Sequence, residues 1–141
     1  RFMGRVLGVD YGKKRIGLAI SDIMQIVAQP FDVIESKGLQ NDAVNILKIA
    51  KEKEVACIVV GVPKNMNNTE GEMAEIAKNF VEELKKQTEI QIEVIDERLT
   101  TVQAERMLTE EANISREKRK GVRDKIAATF ILQTYLDMHS V

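Results

Sequence analysis

Three acidic positions stand where an element would carry a charge out of an apolar core. Asp10 ends the run Arg5-Val6-Leu7-Gly8-Val9, and Gly8 and Gly12 beside it remove side-chain bulk, so that a ligand or another backbone can come close. Asp96-Glu97-Arg98 follows a second apolar segment from Ile90 to Ile95. Asp124 has Ala127, Ala128, Ile131 and Tyr135 on its own helical face, and small residues there let a helix approach a sheet and bring its carboxylate towards the other acids. Clustered carboxylates repel unless a cation neutralises them, and an oxygen donor set with no Cys or His suits Mg²⁺ or Mn²⁺. Two such ions about 3.5–4 Å apart would activate a water, orient a phosphodiester and stabilise the leaving oxygen of an in-line displacement. The chemistry expected is phosphodiester hydrolysis. Taken singly, Asp10 reads equally well as a turn cap and Asp96-Glu97-Arg98 as a surface ion pair of little energetic weight. The third acid favours catalysis, while Asp96 and Glu97 remain equivalent candidates on these grounds.

Basic residues stand beside each acid. Lys13, Arg15, Arg98, Arg119, Lys120 and Arg123 would contact flanking phosphates, a role that positions a nucleic acid and does not read its bases. The formal net charge is only −1, so a general basic field is excluded and any polyanion site must be local. Asn65 is a candidate nucleotide contact, in a turn whose asparagines need no such role. Thr100 and Thr101 read as helix N-caps before they read as substrate ligands.

The elements that must hold these residues follow from periodicity. Arg5 to Tyr11 and Arg15 to Ser21 form a hairpin, and a third extended segment around Ala28 to Ser36 contains Pro30, which suits a sheet edge. Asn41 to about Lys53 is helical, with apolar residues at 43, 44, 47 and 50; Val55 to Val62 is a buried strand. Thr69 and Glu72 have capping-box spacing before a helix whose apolar face carries Met73, Ile76, Ala77, Phe80, Val81 and Leu84. Ile90 to Asp96 is a fifth strand, Thr100 with Gln103 opens another helix, Ala112 to Gly121 is a loop, and a last helix runs from Gly121 to about Met138. The order βββαβαβαα implies an α/β fold: a mixed sheet with three antiparallel strands first, helices on both faces.

The 141 residues and 44% apolar content suffice for one domain, read as 3–141, with Arg1 and Phe2 as a remnant ahead of Met3. The single cysteine, Cys57, lies in an apolar run and is expected to act as a small hydrophobe in a reducing compartment. Without a membrane-length apolar stretch or a signal-peptide pattern, the expectation is a soluble, cytoplasmic protein. His139 is expected at the surface.

The same residues resemble a known family, the bacterial ribonuclease H-like pre-16S rRNA nucleases, earlier described as Holliday junction resolvases. Gly8-Val9-Asp10-Tyr11-Gly12-Lys13-Lys14-Arg15-Ile16-Gly17-Leu18-Ala19-Ile20-Ser21-Asp22 is similar to its opening signature and Val60-Gly61-Val62-Pro63 to Gly71 to its middle loop. Asp96-Glu97-Arg98-Leu99-Thr100-Thr101 and Asp124 to Ala128 resemble its last two motifs. The resemblance implies a five-stranded mixed sheet flanked by helices, with Asp10, Glu97 and Asp124 as catalytic, metal-binding carboxylates. It also implies precursor rRNA as substrate and an association with ribosome biogenesis. Lys64, Asn67-Asn68 and Arg123 depart from the family pattern and touch substrate contacts, not carboxylates.

Three other readings compete. Cleavage of branched, four-way DNA would require a homodimer with two active sites, whereas a monomer suffices for RNA cleavage. A nucleotide-dependent kinase or ATPase would need two copies of the Asp-x-Gly unit, and the chain has one. A catalytically weak nucleic-acid-binding assembly factor would not need all three acids.

Overall fold

The computed structural model describes residues 4–63, 71–97 and 116–139, with the backbone alone for 116–123. The elements are β1 (Arg5–Tyr11), β2 (Arg15–Ser21), β3 (Ala28–Glu35), α1 (Leu39–Glu52), β4 (Val55–Val62), α2 (Glu72–Gln87), β5 (Gln91–Asp96) and α3 (Arg116–Met138). The strands form one sheet in the order β3-β2-β1-β4-β5. β1 pairs antiparallel with β2, and β2 with β3; β1–β4 and β4–β5 are parallel. The mixed sheet follows the order of elements, because hairpin turns make antiparallel neighbours and helical crossovers make parallel ones. Pro30 does lie on the edge strand, opposite Ala19 and beside the irregularity between Leu18 and Ala19.

Alternation along the strands divides the core in two. Leu7, Val9, Tyr11, Ile16, Leu18, Ile58 and Val60 face α1 and α2, where Ile46, Phe80 and Leu84 are fully buried; Phe80 stacks on Tyr11 with ring centroids 4.1 Å apart. Val6, Ala19, Cys57, Val59 and Ile95 face α3, which contributes Ala128, Ile131, Leu132 and Leu136. The two clusters are the two faces of the sheet, each closed by helix, as parallel central strands require. Among the described residues no helix is long and apolar enough to cross a membrane.

Three local readings of the sequence are corrected. The last helix begins at Arg116, so the segment from Arg116 to Gly121 is not loop, and Asp124 is its ninth residue. Arg, Glu and Lys are strong helix formers, and their run carries the helix through Gly121 despite a cost of about 1 kcal/mol for an interior glycine. α2 is capped by Gly71, with Glu72 and Glu75 in its first turn and no side-chain cap bond, so Thr69 is not its N-cap; the acids at its positive end do that work. α1 buries Ala43, Ile46 and Ala50 while Val44 is exposed, which rotates the predicted face by one position. α1 also buries Asp42, whose carboxylate accepts from the Tyr11 hydroxyl (2.7 Å), the Ser36 hydroxyl (2.5 Å) and the Lys37 amide (2.7 Å). The helix expected from Thr100 and the loop from Lys64 to Asn68 lie outside the described residues.

Candidate active site

The site is built on the α3 face of the sheet. Asp10 has the strand parity of Gly8, and its register partner on β2 is Gly17, which in turn faces Val33 on β3. Glycines line this face where the helix crosses. A β-carbon at Gly17 would stand 2.2 Å from the Asp124 carbonyl oxygen, and one at Gly8 would stand 2.7 Å from the Leu132 β-carbon. One at Gly61 would meet Ile131 Cδ1 at 2.4 Å and Glu97 Cγ at 2.8 Å. No L side chain fits in such gaps, so Gly17 sets how closely Asp124 approaches the sheet and Gly61 leaves the volume in which Glu97 lies. Gly12 acts differently: its missing β-carbon lets the β1–β2 turn fold against the Arg15 carbonyl.

Parallel strands β1, β4 and β5 end at the same edge, which brings Asp10 and Glu97 together. Their carboxyl groups are hydrogen-bonded. Burial pushes the Asp10 carboxyl above the ordinary carboxylate range; the bond from Glu97 lowers it, and the charge of Asp124 raises it again. Burial likewise raises Glu97, reinforced by its hydrogen bond to Asp10 and by the charges of Asp10 and Asp96. The pair therefore shares one proton, held by Glu97 and donated to Asp10. Strand alternation gives Asp96 the parity of Ile92, whose side chain packs on the α1–α2 core, and puts Glu97 on the Asp10 side. Of the two neighbouring acids, Glu97 is the one on the face that α3 covers.

Asp124 lies near enough to act on Asp10 through its charge, but its own carboxylate is engaged by Arg15, with Nε to Oδ2 at 2.7 Å. Asp124 is mostly covered and Arg15 half-exposed, so the bond is better shielded than a surface pair. Lys13 pairs with Glu72 at the start of α2. Arg15 was expected to meet phosphate, and its hold on Asp124 was not anticipated: a pair separated by 109 positions leaves no local signal. Gly17 and Gly61 were also missed as parts of the site, although glycines inside strand patterns are the available clue. Asn65 and Arg98 lie outside the described residues, and of Arg119, Lys120 and Arg123 only the helical backbone of α3 is described. His139 is exposed and stacks on Tyr135.

The donor chemistry suits a hard divalent cation: oxygen-only groups, two of them so close that without a cation they must share a proton. Among the described residues, no group of three acids, histidines or cysteines stands close enough to hold an ion as arranged, and the Asp124 carboxylate is bonded to Arg15.

Comparison with known proteins agrees with this architecture. A family model described as "RuvX: Holliday junction resolvase" matches residues 4–138. A protein of Endomicrobium trichonymphae named "Putative pre-16S rRNA nuclease" is 56% identical over 138 residues, covering 98% of this chain and 99% of that one. A protein of the same name from Thermoanaerobacter pseudethanolicus is 50% identical over 133 residues, covering 94% and 96%. Among solved structures, T. thermophilus RuvC in complex with Holliday junction substrate matches with a TM-score of 0.59 at 12% identity, covering 97% of each chain, a likeness of fold. The chain belongs to the RuvX family and is a nuclease of the ribonuclease H-like fold.

Proposed function

We propose that this protein hydrolyses phosphodiester bonds in the flanks of precursor 16S rRNA, as a single cytoplasmic domain, with Asp10, Glu97 and Asp124 as its catalytic carboxylates. The observation that carries the reading is the hydrogen-bonded Asp10–Glu97 pair at the strand ends, with Asp124 beside it. Three acids at one edge suit a reaction in which negative charge builds on a phosphoryl group only if cations accompany them. Asp10, Glu97 and Asp124 are the residues that would hold Mg²⁺ or Mn²⁺. Such ions supply activation of the attacking water and stabilisation of the leaving oxygen. Asp10 and Glu97 fix the reacting phosphate's side of the sheet, and Glu97 must release its proton for both acids to act as ligands. Lys13, Arg15, Asn65, Arg98, Arg119, Lys120 and Arg123 are the proposed strand contacts.

The RNA substrate is supported by the name the close relatives carry. The family description favours a second reading, resolution of four-way DNA junctions, which needs two sites related by a two-fold axis. The deciding experiment incubates precursor-rRNA fragments and four-way junctions with the protein under Mg²⁺ and under Mn²⁺, with Asp10→Asn as control. Cleavage of the RNA flank by wild type alone supports the proposal. Junction cleavage without RNA cleavage favours the second reading, and equal cleavage by the variant removes Asp10 from the mechanism.

A further inference from the structure

Beside the carboxylates lies a hollow of about 540 Å³, walled by Lys13 to Arg15 of the first turn and by Val33 to Ser36 at the end of β3. Its position follows from register. Arg15 pairs with Glu35, and Gly17 with Val33, so Arg15, Val33 and Glu35 share the sheet face of Asp10 while Ile34 and Ser36 turn to the other; the hollow wraps the sheet edge at which β1 ends. Val33 is two strand spacings from Asp10, about 9–10 Å. That span matches about three stacked nucleotides at ~3.4 Å each.

The walls differ in chemistry. Lys13 is matched by Glu72, and Glu35 by Lys37 at 3.5 Å. Lys14 is exposed and has no carboxylate partner among the described residues. Arg15 belongs to both places: it lines the hollow, and its Nε–H is given to Asp124. A guanidinium has five N–H donors in a rigid fork, so donating one edge to a carboxylate leaves others for a phosphate. Val33 adds an apolar wall against which a sugar or base can lie. Cation, shared arginine and apolar wall at the sheet edge where Asp10 lies describe a seat for a polynucleotide backbone.

We infer that this hollow seats the nucleic-acid strand next to the scissile bond, with Lys14 and Arg15 on its phosphates and Arg15 linking the seated strand to Asp124. The inference rests on the nuclease reading above and adds the path the strand takes, out over β2 and β3. Lys14, Val33, Glu35 and Ser36 thereby become substrate-facing residues.

The test measures binding of a fluorescein-labelled single-stranded RNA in EDTA, where no cleavage occurs. Lys14→Glu should weaken binding about tenfold and reduce the salt slope by about 0.7, one phosphate contact's worth. Lys48→Glu makes the same change of charge on exposed α1, on the other face of the sheet, and should leave both nearly unaltered. An environment-sensitive dye on Glu35→Cys, readily labelled because Cys57 is buried, should respond to the RNA. Unchanged binding in Lys14→Glu, an equal loss in Lys48→Glu, or a silent dye overturns the inference. A Mg²⁺ cleavage arm separates the two levels: cutting that is abolished by Asp10→Asn but accompanied by any of those results removes the hollow and keeps the nuclease site. Absence of both binding and cutting in wild type removes both.

Discussion

At the scale of single residues, Asp10 and Glu97 impose a conflict between stability and chemistry. Two half-buried carboxyl groups hydrogen-bonded to each other are held together by the fold against desolvation and repulsion. Asp10→Asn should therefore reduce cleavage by at least ~100-fold while leaving the circular dichroism spectrum intact. In the absence of divalent ions its thermal midpoint should rise, since a partly desolvated charge beside two other acids is removed; a fall in midpoint would mean that the pair stabilises the fold. Tyr11, one position on, makes the opposite case. Its hydroxyl donates to buried Asp42, and burial, then the Asp42 bond, pushes its pKa up to about 12. A folded value above the unfolded value of about 10 means that this contribution is complete below pH 10 and is lost as pH rises through about 12. Tyr11→Phe should cost about 1–2 kcal/mol in urea unfolding at pH 8. The gap between wild type and variant should close as pH approaches 12.

At the scale of elements, the site depends on how closely α3 lies on the sheet. Gly17→Ala places a β-carbon against the Asp124 backbone, so the helix must shift, at a cost of about 1–3 kcal/mol in stability. Cleavage should fall much further than stability, because the displaced residue is Asp124. Gly38→Ala is the matched control. Gly38 has φ +97° with open space around it, so alanine strains the backbone by about 1–2 kcal/mol without touching the site. Equal activity losses in the two variants, at equal loss of stability, would refute the role given to the α3 approach. The elements themselves were largely legible. Short apolar, β-prone runs in β1, β2 and β4 and helical spacing in α2 are strong local signals. The start of α3 was not legible, because a charged run containing Gly121 resembles a loop until the helix is seen to be anchored further on by Ile131 and Leu132. The capping position of α2 was obscured by a similar ambiguity, since Thr69 and Gly71 both suit an N-cap.

At the scale of the whole molecule, β4 is flanked on both sides by strands and covered on both faces by helices, and it carries the single thiol. Burial pushes the Cys57 thiol up to about 11, against a weaker opposing contact from the Tyr135 hydroxyl at 3.8 Å. The native protein should therefore resist a disulfide reagent at pH 8, and one thiol per chain should react once urea unfolds it. Because the strand lies in the middle of the sheet, the labelling rate should follow global unfolding. Rapid labelling without denaturant would show that β4 and its covering helix open separately.

By itself the sequence determined what local patterns can determine: apolar strand runs, helical faces, an edge strand marked by Pro30, and an acid at the end of β1. These signals arise from residues within a few positions of one another, where backbone geometry leaves few alternatives. The company Asp10 keeps was decided by tertiary structure. Glu97 faces it in place of Asp96 because α3 covers one side of the sheet, and parallel pairing sets β1 and β5 to end at the same edge. Arg15 meets Asp124 because Gly17 admits the helix. Each of these contacts joins segments far apart in the chain, and only sheet register and helix docking decide which side chains meet.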